Sequence, residues 1–115
     1  MTLDSLRMYC LGLPGVTEDL PFDEDTLAFR IGGKIFLLTS LTETTTMNVK
    51  CDPERAIELR ETWPEEVIPG YHMNKKHWNT VSLTGRLNDD FLKDQILHSY
   101  QLVKGPAGKK RTSSR

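Results

Sequence analysis

Cysteine is scarce in this chain of 115 residues: there are two, Cys10 and Cys51, far apart and without a CxxC spacing. That excludes a disulfide-stapled scaffold, and both thiols are read as reduced. Cys10 falls on the apolar side of a predicted helix and Cys51 at the end of a predicted strand, so each is expected to be a small buried hydrophobe rather than a nucleophile. Long apolar runs are also missing. No stretch approaches the ~18 residues of a membrane span, and Met1-Thr2-Leu3-Asp4-Ser5 has neither the basic start nor the apolar stretch of a secretory signal. A cytoplasmic location with no membrane partner is the expectation. There is no internal repeat, no GxSxG around Ser82 or Ser99, and no EF-hand spacing among the acids.

Charge of one sign is short in the body of the chain. Five of the 15 basic residues (Lys104, Lys109, Lys110, Arg111, Arg115) stand in the last twelve positions, which contain no acid. Met1 to Val103 therefore carries a formal −6, a field that opposes a polyphosphate taken as a whole. Hydrophobic content of 37% and charged content of 27% are those of a globular protein, and the length suits one domain with one core.

Thr2 can cap a first helix from Leu3 to Leu11, with Leu3, Leu6, Cys10 and Leu13 spaced as an apolar stripe and Gly12 as the stop. Glu18 to Asp25 holds five acids interrupted by Pro21 and reads as a solvated loop. Thr26–Ile31 alternates, Gly32-Gly33 supplies the positive-φ positions of a tight hairpin turn, and Lys34–Thr39 runs back. Thr45–Lys50 alternates again, with Met47 and Val49 on one side. Asp52-Pro53 opens a second helix that Trp63-Pro64 ends, with Trp63 expected to pack. Beyond Val67-Ile68-Pro69-Gly70 lies a polar aromatic stretch, then a late strand at Thr80–Thr84. Asn88 caps a last helix carrying Phe91, Leu92, Ile96, Leu97, Tyr100 and Val103 at helical spacing, with His98 at its boundary, and Gly105-Pro106 stops it.

This order predicts a two-layer α+β domain: an antiparallel β-sheet with helices packed on one face. It spans residues 1–104. Residues 105–115 are small, polar and basic, and are expected to form a disordered tail.

Chemistry is richest in Pro69 to Val81, which holds two histidines, two lysines and two aromatics. The run His72-Met-Asn-Lys-Lys-His-Trp-Asn-Thr-Val81, preceded by Pro69-Gly70-Tyr71, resembles the hallmark segment of the MmcQ/YjbR family of small bacterial proteins. Leu13-Pro14-Gly15, Pro21-Phe22, Phe29 to Phe36 and Ser99 to Val103 fall where that family has similar patterns, so the resemblance covers residues 2 to 104. It implies a fold similar to the type III secretion chaperone-like class, a DNA-binding label in which hairpins and loops act as paired wings, and no enzymatic activity. It does not reach the basic tail.

Two readings of this segment stand side by side. In one, Lys75 and Lys76 neutralise phosphates while Trp78 stacks on a base, with His77 beside it and Arg30 and Lys34 adding charge from the hairpin. In the other, Tyr71, His72, Asn74 and His77 brace an irregular crossing, Trp78 plugs the core edge, the lysines are solvated, and Gly32 and Gly33 serve turn geometry alone. His72 and His77 lack a third ligand for a metal. The expectation is a non-enzymatic, monomeric binding module without cofactor. Its partner is DNA at Lys75–Trp78 or, alternatively, a protein on the sheet face.

Overall fold

The computed structural model describes residues 1–70 and 73–105. Tyr71, His72 and the tail beyond Gly105 lie outside the described residues. The elements are α1 (Leu3–Leu11), β1 (Val16–Asp19), β2 (Thr26–Ile31), β3 (Lys34–Ser40), β4 (Thr46–Lys50), α2 (Pro53–Thr62), β5 (Val67–Pro69), β6 (Trp78–Ser82) and α3 (Asp89–Lys104). The strands form one antiparallel sheet in the order β1-β2-β3-β4-β6-β5.

The expected caps form. Thr2 Oγ1 accepts from the Ser5 amide, Asp52 accepts from the Arg55 amide, and Asn88 accepts from the Phe91 amide. Gly32 and Gly33 take φ of 61° and 81°, which only residues without a Cβ adopt cheaply, so the β2–β3 turn closes as the paired glycines require.

Three segments depart from the sequence reading. Val16–Asp19, the first part of the stretch expected to be an acidic loop, is an edge strand paired with β2. Its inward position is taken by Glu18, whose carboxylate is gripped by Arg7 with Nε to Oε1 at 2.9 Å, so the core-facing side chain is charged and the apolar alternation is hidden. The late strand begins at Trp78 rather than Thr80, because its inward residue Asn79 is polar and fully buried. Val67–Pro69 forms a short second edge on β6.

One core unites the inner face of the sheet with the helices. Leu27, Phe29, Leu37, Met47, Val49 and Val81 meet Leu6 and Cys10 of α1 and Leu92, Ile96 and Tyr100 of α3, with Trp63 at the end of α2 packed against the same cluster. Tyr100 lies edge-on to Phe36, with ring centroids 5.6 Å apart, and its hydroxyl donates to the Pro14 carbonyl. Phe36 is the extra residue of a bulge between β2 and β3. Its carbonyl accepts from Ser99 Oγ on α3, which in turn accepts from the Lys50 amide at 2.8 Å. Among the described residues, no helix is long and apolar enough to cross a membrane.

Candidate functional site

Alternation along each strand puts every second residue on the face away from the helices. In register across that outer face run Asp19, Ala28, Leu38, Asn48, Thr80 and Ile68, one from each strand. Thr80 Oγ1 donates to Asn48 Oδ1 at 2.6 Å. Two residues further along, toward the β2–β3 turn, the same face carries Arg30 on β2, Lys50 on β4 and its direct partner Trp78 on β6.

This end of the sheet gathers the cations expected from sequence and adds one that was not. Lys34 stands exposed just past the glycine turn, and Lys75 and Lys76 stand exposed in the β5–β6 connection. Arg30 and Trp78 are separated by β3 and β4, about 14 Å at the usual strand spacing. Lys50 lies between them. Its position was readable, since alternation on β4 sets it opposite Met47 and Val49. Arg30 is partly committed: Nε bonds Asp19 at 3.0 Å and a terminal nitrogen donates to the Gly33 carbonyl. Lys34 and Lys104 line one shallow depression with Ile31, Gly32 and Val103, so the last turn of α3 brings a further cation to the same end.

Acids collect at the other end, where Asp23, Asp25, Glu43, Glu66 and Asp89 lie in or beside the connections that follow β1, β3 and β6 or precede them. Their charge is stabilised locally. Amides of Thr26 and Asp25 and the Thr26 hydroxyl lower the Asp23 pKa, and Ser40, Thr42 and the Thr42 amide do the same for Asp25. The outer face is therefore electrically polarised along the strands, a feature that net charge conceals.

The connection carrying Lys75 and Lys76 is built from its own residues. Asn74 Oδ1 accepts from the Lys76 amide, and its carbonyl accepts from the amides of His77 and Trp78. The His77 carbonyl receives the Cys51 amide at 2.7 Å, continuing the ladder toward β4. Arg60 of α2 clamps the rest: Nε donates to Asn79 Oδ1 at 2.8 Å, and a terminal nitrogen donates to the carbonyls of Lys75 and Trp78 at 2.6 and 3.2 Å. The bracing expected of this segment is present in part. Asn74 and the backbone of His77 brace the crossing, while the side chains of Lys75 and Lys76 face solvent. His72 and Tyr71 lie outside the described residues.

Beside the basic row the outer face is hollowed by a cleft of about 420 Å³ lined by Phe22, Asp23, Thr26, Leu38, Ser40, Thr46, Asn48 and Met73. Phe22 is 66% exposed at its rim, whereas Leu38 on its floor is 9% exposed. An isolated aromatic between Pro21 and Asp23 was the signal in the sequence for this wall.

Nucleophile chemistry is poorly served. Burial pushes the Cys10 thiol up to about 12 and raises that of Cys51 as well. Ser99 Oγ is committed to the Phe36 carbonyl and the Lys50 amide. His98 Nε2 accepts from the Asp52 amide at 3.1 Å. Among the described residues, no three His, Cys, Asp or Glu side chains are grouped to hold a metal.

The sequence model of the YjbR family matches residues 11–102. The chain is 38% identical to the protein YbdF of Escherichia coli O157:H7 over 101 residues, covering 87% of this chain and 82% of that one. It is 31% identical to YjbR of Escherichia coli K12 over 102 residues, covering 88% and 86%. The crystal structure of Deinococcus radiodurans protein DR2400 superposes with a TM-score of 0.85 at 39% identity, over 97% of this chain and 83% of that one. A Pseudomonas syringae protein superposes with a TM-score of 0.71 at 26% identity, over 90% of this chain and 99% of that one. The match spans both the sheet that carries the basic row and the helices behind it, and the chain belongs to the YjbR family.

Proposed function

We propose that this chain is a non-enzymatic binding module that holds nucleic acid on the basic end of its outer sheet face. The supporting observation is convergence at one end of the sheet: Lys50 is the direct strand partner of the half-buried Trp78 on the outer face, Arg30 lies on that face, Lys75 and Lys76 stand in the connection leading into Trp78, and Lys34 adds charge from the turn at that end. Lysines neutralise phosphates and an indole stacks on bases, so these side chains are the two components of a phosphate-and-base contact. Asp52, the acid nearest in sequence to Lys50, turns its carboxylate to the Arg55 amide of α2. Asp23, Asp25, Glu43, Glu66 and Asp89 lie toward the far end and set an orientation instead of abolishing the attraction.

A protein partner is the second reading, favoured by one observation: among the described residues no helix lies on the outer face, and Phe22 and Ile68 stand exposed upon it. The two separate by salt. Fluorescence anisotropy of labelled oligonucleotides at two salt concentrations should show binding that weakens steeply with salt and falls in Lys75→Ala/Lys76→Ala, while truncation after Gly105 retains it. Binding that vanishes with the tail alone, or is absent throughout, overturns the nucleic-acid reading in favour of the protein partner.

A further inference from the structure

We infer that the outer-face cleft is a pocket for a single unpaired base, so that the preferred ligand is single-stranded. This rests on the function proposed above and names its substrate class.

Three features of the cleft carry it. The first is shape. Its floor, Leu38 with Ala28 beside it, is buried although no helix of the described residues covers that face, and Phe22 and Met73 stand over it as walls. A rigid duplex cannot bring a base edge down between such walls, whereas a strand whose bases are splayed can insert one ring. The volume of about 420 Å³ is of small-ligand size, large enough for a ring and its sugar.

The second feature is chemistry. Phe22 offers an aromatic face and Met73 a polarisable thioether, both suited to a flat heteroaromatic ring. Asn48 Oδ1 is already filled by Thr80, which leaves its amide nitrogen as the donor facing the cleft for a base carbonyl or ring nitrogen. The carboxylates of Asp23 and Asp25 are occupied by amides and hydroxyls of their own loop and of Ser40 and Thr42.

The third feature is placement. Asn48 is two residues from Lys50 on β4, and Thr80 is two residues from Trp78 on β6, so the cleft and the basic row lie about 7 Å apart along the strands. A strand whose phosphates rest on Lys50, Lys75 and Lys76 would stack one base on Trp78 and present its neighbour to the cleft. Asp23 at the cleft and the acids beyond it repel phosphates, which keeps the backbone on the basic side.

The test is anisotropy of a short labelled single strand and of a blunt duplex of the same sequence, with the full chain, Phe22→Ala, Phe22→Tyr, Asn48→Asp and Lys75→Ala/Lys76→Ala. The wild-type chain should prefer the single strand by about tenfold, in line with the worth of one stacked base. Phe22→Ala should erase that preference while leaving duplex affinity unchanged, Phe22→Tyr should retain it, and Asn48→Asp should erase it while its added charge lowers affinity for both forms. Asn48→Asp keeps the acceptor used by Thr80; its loss of duplex affinity measures the added charge, and the further loss for the single strand reads the missing donor. Equal affinity for both forms, or cleft variants that leave the preference intact, overturns the base pocket while salt-sensitive, lysine-dependent binding upholds the broader function. Loss of salt-sensitive binding to both probes in the wild type overturns the two together.

Discussion

Arg60 on α2 and Asn79 on β6 are joined by a hydrogen bond of 2.8 Å from guanidinium Nε to amide Oδ1, and the same guanidinium holds the carbonyls of Lys75 and Trp78. A side chain on the helix layer thereby sets the path of the connection that displays two of the candidate lysines. Arg60→Ala leaves the fully buried Asn79 without that partner, a loss of about 2 kcal/mol. Urea unfolding should show the decrease, and amide resonances of residues 74–78 should shift. Arg60→Lys should recover little, since an ammonium cannot reproduce the planar fork.

Ser99→Ala removes the hydroxyl that joins the Phe36 carbonyl to the Lys50 amide at the β3 bulge. Both groups lose their partner next to the core, and the expected cost is about 1–3 kcal/mol by urea denaturation. A change below about 0.5 kcal/mol would mean that the strands close directly across the bulge.

Gly70→Ala places a methyl group 2.9 Å from Trp78 Cβ and 3.1 Å from its carbonyl oxygen, where the Gly70 amide also donates to that oxygen at 2.8 Å. The partner atoms are backbone and Cβ, which cannot rotate away. The substitution should cost about 1–3 kcal/mol and displace the indole N–H resonance of Trp78, with that of Trp63 unmoved.

His98 gives the stability a pH dependence. Burial, with the neighbouring Arg55 guanidinium adding to it, lowers the imidazole pKa against the opposing pull of Asp52 and Asp94. The unfolded chain then binds the proton more readily, so stability rises with pH across this window. The contribution is complete above about pH 6.5 and is lost as pH falls through the lowered folded value. His98→Gln retains an acceptor for the Asp52 amide and should flatten the fall in the urea midpoint between neutral and mildly acidic solution; an unchanged slope would assign that fall to other groups.

Legibility in the sequence followed how far each residue obeyed local rules. The Thr2, Asp52 and Asn88 caps and the Gly32-Gly33 turn satisfy neighbouring backbone groups, and each was readable from a few letters. β1 was not, because Glu18 fills an inward position with a charge that Arg7 of α1 neutralises. Asn79 hid the start of β6 in the same way through Arg60. Apolar letters on both sides of β2 and β3 left open which face the helices cover, so Leu38 and Ala28 were legible as buried and not as the floor of a cleft. Lys75, Lys76, Trp78, Arg30 and Lys34 were legible as candidates. Their arrangement at one end of one face depends on strand order β1-β2-β3-β4-β6-β5, which no local pattern encodes.

The borders of the sheet carry a consequence for assembly. β1 has four residues and carries Glu18 and Asp19, while β5 has three and ends in Pro69, which has no amide to offer. Rims so brief, one negatively charged and one missing a donor, give an incoming strand almost nothing to zip onto, and they guard the molecule against runaway ribbon growth at high concentration. Recognition is thereby steered from the rim to the broad surface between.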